Sequence, residues 1–172
     1  AIIYTPFRLA RLVSFRDPFA PEFELSSGWQ LSNALIGIGR GDLFGIGLGN
    51  SIQKNLYLPE PHTDFIFAII LEETGIIGGF LLMLLFILLI TSIVQISFDA
   101  LRQNRLFQGY VCFGIGSLLS IQSIFNIGVN IGLLPTKGLT LPFISYGGAS
   151  LIIFMLMMGI VFRVDFENRN LD

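Results

Sequence analysis

Two carboxylates and the chain's one histidine fall within five residues, Glu60-Pro61-His62-Thr63-Asp64, directly ahead of a long apolar stretch. Imidazole and carboxylate groups are the usual carriers of protons in reactions, and a carboxylate can also take a divalent cation. At the edge of a bilayer such groups are expensive to keep, which makes them functional candidates. The plainer alternative is a solvated loop that precedes a span. Two further carboxylates, Glu72 and Glu73, lie eight and nine residues beyond Asp64, where unpaired charge is costlier still. At 100° per residue they project in different directions, so they cannot share one role. One of them is expected to be a bundle residue paired with a basic group.

The elements around these residues must belong to a membrane protein. Of 172 residues, 53% are hydrophobic and only 13% charged, about half the charged share of a soluble domain. The mean hydropathy is +0.75. Three runs lack any charge: 74–98 (25 residues), 106–136 (31) and 138–162 (25). About 20 helical residues cross ~30 Å of hydrocarbon, so each run is long enough. The expected fold is an all-α polytopic transmembrane helix bundle. A net charge of −2 with no basic stripe argues against a nucleic-acid partner. The lone Cys112 is expected to be a small buried apolar side chain, because one thiol builds neither a disulfide nor a thiolate metal site.

Residues 1–63 are expected to hold the tail of an earlier span (1–7) and a polar loop. Residues 64–172 are expected to hold three spans, near 64–96, 107–130 and 146–162, with short loops and a charged tail. Within the first part, Ser26 and Ser27 are cap candidates for a short helix with Trp29, Leu31, Leu35 and Ile38 along one side. That helix either lies on the bilayer surface, as Trp at the boundary allows, or packs on the bundle. Six glycines in residues 37–49 resemble a nucleotide loop only superficially, since the Gly-Lys-Ser/Thr ending is missing. They fit better a backbone that lies close to a partner helix or an extended substrate. Asn126 and Asn130, four apart in the second span, share a face that must point into the bundle. Arg102, Arg105, Arg163 and Arg169 cluster at one side of the bundle, against Lys54 and Lys137 on the other, which favours a cytoplasmic C-terminus.

Two blocks carry a resemblance. The first is Gln53-Lys54, Tyr57-Leu58-Pro59-Glu60, His62-Thr63-Asp64-Phe65 and Glu72-Glu73. The second is Asn126, Pro135-Thr136-Lys137-Gly138 and Leu141-Pro142-Phe143-Ile144-Ser145-Tyr146-Gly147-Gly148. Together they resemble the SEDS proteins (shape, elongation, division and sporulation), bacterial peptidoglycan polymerases of about ten spans. Gln53-Lys54 and Pro135-Thr136-Lys137-Gly138 look closer to the division branch than to the elongation branch. Pro61, Leu71, Thr74 and Ala149 depart from the family's usual residues without removing a motif carboxylate.

The resemblance implies a glycosyltransferase that joins lipid II, a disaccharide-pentapeptide on undecaprenyl pyrophosphate, into glycan strands outside the cytoplasmic membrane. It implies a C-terminal fragment with the last three spans, expected to be inactive by itself. It also implies a class B penicillin-binding protein transpeptidase and other divisome membrane proteins as partners, at the division septum of the bacterial inner membrane. Asp64 matches the family's loop aspartate and is the expected general base. Desolvation at the membrane edge should raise such a carboxyl above its ordinary ~3.9. Gln53, Lys54, Glu60, His62, Thr63, Lys137 and Ser145 are expected to bind substrate, the lysines and Arg40 offsetting pyrophosphate charge. A divalent cation, Mg²⁺ or Mn²⁺, held in part by Asp64 or Glu60 could do the same. Pyrophosphate leaves as a stable anion, so one carboxylate can suffice where glycosidases need two. His62 is the alternative base. The competing functions are a lipid II flippase, which Glu72, Asn126 and Asn130 would serve as a polar path, and a division scaffold without chemistry.

Overall fold

The computed structural model describes residues 15, 18, 28–53 and 63–170. The expected end of an earlier span at residues 1–7 and the cap candidates Ser26 and Ser27 lie outside them. The described residues form four helices and no strand: α1 (Trp29–Gly41), α2 (Ile66–Arg102), α3 (Leu106–Asn130) and α4 (Gly148–Asn170). Three of these, α2 to α4, are long and apolar enough to cross a membrane.

Helix α1 starts after Gly28, which holds the capping position without a side-chain hydrogen bond. Its polar residues satisfy themselves inward: Ser32 Oγ and Asn33 Nδ2 donate to the Trp29 carbonyl at 3.1 and 2.8 Å. Leu31, Ala34 and Gly37 are buried. The helix packs chiefly against α2, the second of the two placements its apolar stripe allowed.

Helix α2 is 37 residues long. At 1.5 Å per residue a straight helix of that length would reach about 55 Å, far beyond ~30 Å of hydrocarbon. It does not run straight. Gly75, at φ 72° and ψ −174°, breaks it into a short arm (66–74) and a long arm (76–102). That backbone region is essentially open to glycine alone. The helix expected at 64–96 thus runs from Ile66 to Arg102 and is broken at Gly75. Glu72 and Glu73 end the short arm; they are not two turns into a continuous span.

A broken helix exposes backbone groups that lipid cannot satisfy. The glycine-rich segment after α1 satisfies them here. Ile46 and Gly47 amides donate to the Glu72 and Glu73 carbonyls, both at 3.0 Å, while Ile76 and Ile77 amides donate to Asp42 and Leu43 carbonyls at 3.0 and 3.3 Å. So close an approach leaves no room for side chains. A Cβ at Gly41 would collide with the Leu71 carbonyl, at Gly45 with Glu73, and at Gly75 with Leu43. Gly41, Gly45 and Gly75 serve a backbone-to-backbone contact, the close approach to a helix that the glycine density of residues 37–49 suggested.

The long arm of α2, with α3 and α4, encloses a core of Ile93, Cys112, Leu119, Phe154 and Val161, all nearly fully buried. Cys112 is a buried free thiol, as expected. Outward, large apolar side chains are exposed on all three helices, among them Phe80, Leu88, Ile121, Leu156 and Phe162. Such a surface suits lipid rather than water. The expected charged tail is helical: α4 continues to Asn170 because Val164 and Asn168 stay buried. Asn168 Nδ2 donates to the Ile96 carbonyl at 3.1 Å, and Glu167 takes Arg163 at 2.8 Å and Arg105 at 3.7 Å.

The break makes a testable pair of substitutions. Gly75→Ala should cost about 1–3 kcal/mol in backbone strain, beyond its collision with Leu43. Gly39→Ala, in α1 with nothing within 4 Å of its Cβ position, should be neutral or stabilising by about 0.5–1 kcal/mol. Thermal unfolding of the detergent-solubilised full-length protein checks both. Equal midpoints for the two variants would contradict the break.

Candidate functional site

The two blocks singled out in the sequence meet at the end of the bundle where α2 begins and α3 ends. Asp64 sits two residues before α2. The other block lies in residues 131–147, an irregular connection from α3 to α4. A segment without regular structure leaves carbonyls and amides unpaired, and side chains from α3 take them up. Asn126 Nδ2 donates to the Leu139 carbonyl at 2.5 Å and to the Asp64 carbonyl at 3.1 Å. Asn130 Nδ2 donates to the same Asp64 carbonyl at 2.9 Å, and its Oδ1 accepts the Ala68 amide at 2.9 Å. Gln122 Nε2 holds the Thr140 carbonyl at 3.0 Å.

Ser145 completes the junction from the other side. Its Oγ donates to the Thr63 carbonyl and accepts the Leu141 amide, both at 2.6 Å, and it is 7% exposed. Thus Thr63 and Asp64 are bound through their backbones by Ser145, Asn126 and Asn130. The Asp64 carboxylate lies against Gly138: Oδ2 is 3.2 Å from the point where a Cβ would stand there. Asp64 is half-buried and Lys137 is exposed, its Nζ 5.7 Å from the Phe125 ring centroid.

Beside this junction a recess of about 500 Å³ opens, lined by Ile66, Phe143, Ser145, Tyr146 and Gly147. An apolar groove of about 600 Å³ runs between α2 and α3, lined by Met83, Phe86, Ile124, Ile127 and Leu134 among others. Neither depends on Asp64 for its lining.

The remaining expected site residues divide. Lys54, Glu60 and His62 lie outside the described residues. Gln53 is described and is 5% exposed, with its Oε1 buried and without a hydrogen-bond partner. It packs at Gly37 of α1, where the Glu72 carboxylate also lies. Glu72 is fully buried; Ser51 Oγ donates to its Oε2 at 2.5 Å, and the Ile52 amide is 3.4 Å from Oε1. Its partners are a hydroxyl and an amide, so of the two glutamates Glu72 is not the one that takes a basic group. The helix break brings residues 42–52 against the short arm, and the Ser51 amide also lies 3.4 Å from Glu73 Oε1. Ser51 carried no signal in the sequence. The inward face of Asn126 and Asn130 was visible, but its target, a carbonyl 62 to 66 residues away, was not.

An all-helical bundle with lipid-suited flanks and a polar junction at one end places this chain among polytopic membrane proteins. It belongs to the cell cycle protein family of FtsW, RodA and SpoVE, which it matches over residues 1–170. The motif resemblance is thereby upheld. A probable peptidoglycan glycosyltransferase FtsW from Coxiella burnetii is 54% identical over 168 residues, which cover 98% of this chain and 45% of that protein. The FtsW of Marinomonas mediterranea, described in the same words, is 55% identical over 163 residues, 95% of this chain and 40% of that one. The chain thus spans under half the length of these relatives. A solved chain from work on the structural coordination of polymerization and crosslinking by a peptidoglycan synthase complex is similar with a TM-score of 0.69. It is 27% identical, and the match covers 99% of this chain and 44% of that one.

Ser145→Ala should leave the Leu141 amide and the Thr63 carbonyl without that partner. A loss of about 1–3 kcal/mol is expected for the Leu141 amide, whose bond to Ser145 is buried. Limited proteolysis of the 131–147 connection in the full-length protein reads the effect. Unchanged cleavage would show that the hydroxyl does not fasten the junction.

Proposed function

We propose that this chain is the C-terminal part of a peptidoglycan glycosyltransferase that polymerises lipid II during bacterial cell division, with Asp64 as general base. The observation that carries the reading is the half-buried Asp64, fastened through its own backbone at the point where both motif blocks meet. Relatives at about half identity described as probable peptidoglycan glycosyltransferases support it.

In the reaction a sugar hydroxyl oxygen forms a bond to the anomeric carbon of the donor. The bond from that carbon to the pyrophosphate oxygen breaks, and the lipid pyrophosphate departs with the electron pair. Asp64 takes the hydroxyl proton. A carboxylate held in one place suits this step, since a base must lie within hydrogen-bond reach of its proton. Lys137, exposed on the same loop as Gly138, would offset pyrophosphate charge. Lys54, Glu60, His62 and Thr63 would complete the substrate contacts, and Gln53 would support them from its buried place. The apolar groove between α2 and α3 suits a polyprenyl tail.

Among the described residues no three His, Cys, Asp or Glu side chains gather as a metal site. One carboxylate with substrate phosphates and water is nevertheless an ordinary way to hold Mg²⁺. Asp64, with Glu60, would hold such a cation, Mg²⁺ or Mn²⁺, which would neutralise charge on the pyrophosphate. The partners proposed are lipid II, a class B penicillin-binding protein transpeptidase and divisome membrane proteins. The location proposed is the inner membrane at the septum, with the Asp64 end outside and the C-terminus cytoplasmic.

The decisive experiment reconstitutes the full-length protein with its transpeptidase partner and fluorescent lipid II. Asp64→Asn should reduce polymer formation by about 10²- to 10⁴-fold, the contribution of a general base, while lipid II still binds. Undiminished polymer would sink the assignment. Loss of lipid translocation with polymerisation intact would point to a flippase, and retention of partner recruitment alone to a scaffold.

A further inference from the structure

We infer that Asn130, assisted by Asn126, is the positioning residue that keeps Asp64 out of helix α2 and so holds its carboxylate at the reacting end. This rests on the reading of Asp64 as base. In a continuous α-helix each amide donates to the carbonyl four residues earlier, which would pair Ala68 N–H with Asp64 C=O. Here the Asn130 side chain stands between them. Its Nδ2 donates to the Asp64 carbonyl at 2.9 Å and its Oδ1 accepts from the Ala68 amide at 2.9 Å. The Ala68 amide retains only a tighter turn bond to Phe65, at 3.1 Å.

Asn126 closes the remaining option. Its Nδ2 gives a second hydrogen bond to the same Asp64 oxygen at 3.1 Å. A carbonyl has two lone pairs, and both now have side-chain donors. The helix therefore opens at Ile66, and Asp64 leaves its surface to lie against Gly138.

Neither asparagine has an amide proton left for substrate. Asn130 Nδ2 also donates to the Asn126 carbonyl at 2.8 Å, and the second proton of Asn126 Nδ2 goes to Leu139 O at 2.5 Å. The two side chains are 0% and 1% exposed. They act through Asp64 and touch nothing that reacts. Because Asn126 also grips Leu139, next to Gly138, the same pair sets how far the carboxylate stands from the Lys137 loop. Removing Asn130 lets Ala68 N–H pair directly with Asp64 C=O, which extends the helix by one residue, makes Asp64 its N-cap in place of Phe65 and draws the carboxylate toward the first-turn amides.

The test uses the full-length protein in its complex with the transpeptidase and fluorescent lipid II. Asn130→Ala should lower kcat about 10- to 100-fold, the scale of a 1 Å misplacement, with KM for lipid II within threefold. The consequence of Asp64→Glu should also depend on it: at least tenfold in the parent protein, under threefold in the Asn130→Ala background, because a carboxylate no longer held has little position to lose. A melting midpoint is recorded for every variant. If kcat of Asn130→Ala stays within twofold, or kcat and KM worsen together with a lowered midpoint, or the Asp64→Glu effect is the same in both backgrounds, the inference is overturned. If Asp64→Asn and Asp64→Glu leave polymerisation untouched, it is the base assignment that falls instead.

Discussion

A backbone amide or carbonyl in hydrocarbon must find a partner inside the protein. This constraint accounts for most of what is distinctive in the structure, because the helical ladder of α2 is interrupted twice within ten residues. At its start an asparagine amide from α3 replaces the first helical bond. At Gly75 the segment after α1 replaces two more, Ile76 to Glu72 and Ile77 to Glu73, with four bonds of its own. Between the two interruptions the short arm is held from both sides, and the Asp64 carboxylate inherits its position from that clamp. The polar residues of the bundle are largely consumed in this task. Asn126, Asn130 and Glu72 all take part in it.

The class of fold was legible because hydropathy and helix length are properties of composition over twenty residues. The buried Cys112, the inward asparagine pair and the close-approach glycines were legible for similar reasons, each being a local pattern with one sensible packing. The bounds of α3 were legible to within a residue, whereas the far ends of α2 and α4 were not. Hydropathy does not register a φ angle, so the break at Gly75 was hidden in an unbroken apolar run. The charge density of residues 163–170 suggested a tail, whereas ion pairs four apart and the buried Val164 and Asn168 keep them helical. At the site, Asp64, Thr63 and Ser145 were named for their motif, and the structure joins Thr63 to Ser145 directly. The buried place of Gln53 and the hydroxyl partner of Glu72 depend on where a distant loop docks. No spacing along the chain encodes that.

The far end of the bundle is built differently. There Arg105 and Glu167 form an ion pair at 3.7 Å, and Gln103 and Asn168 tie the α2–α3 turn to α4. Charged side chains suffice at that end because water reaches it. At the Asp64 end Asn126, Asn130 and Ser145 tie α3, the 131–147 connection and residues 63–68 together through uncharged amides and a hydroxyl, whose hydrogen bonds do not weaken with salt.

The stitched break also imposes an order on biogenesis. The long arm of α2 can enter lipid on its own, because its ladder is complete, but the residues on either side of Gly75 cannot rest there until residues 42–47 arrive. Those residues leave the ribosome about thirty positions earlier, so the plug is made before the gap it fills. A nascent chain can thus seal the junction as it emerges, without waiting for α3 or α4.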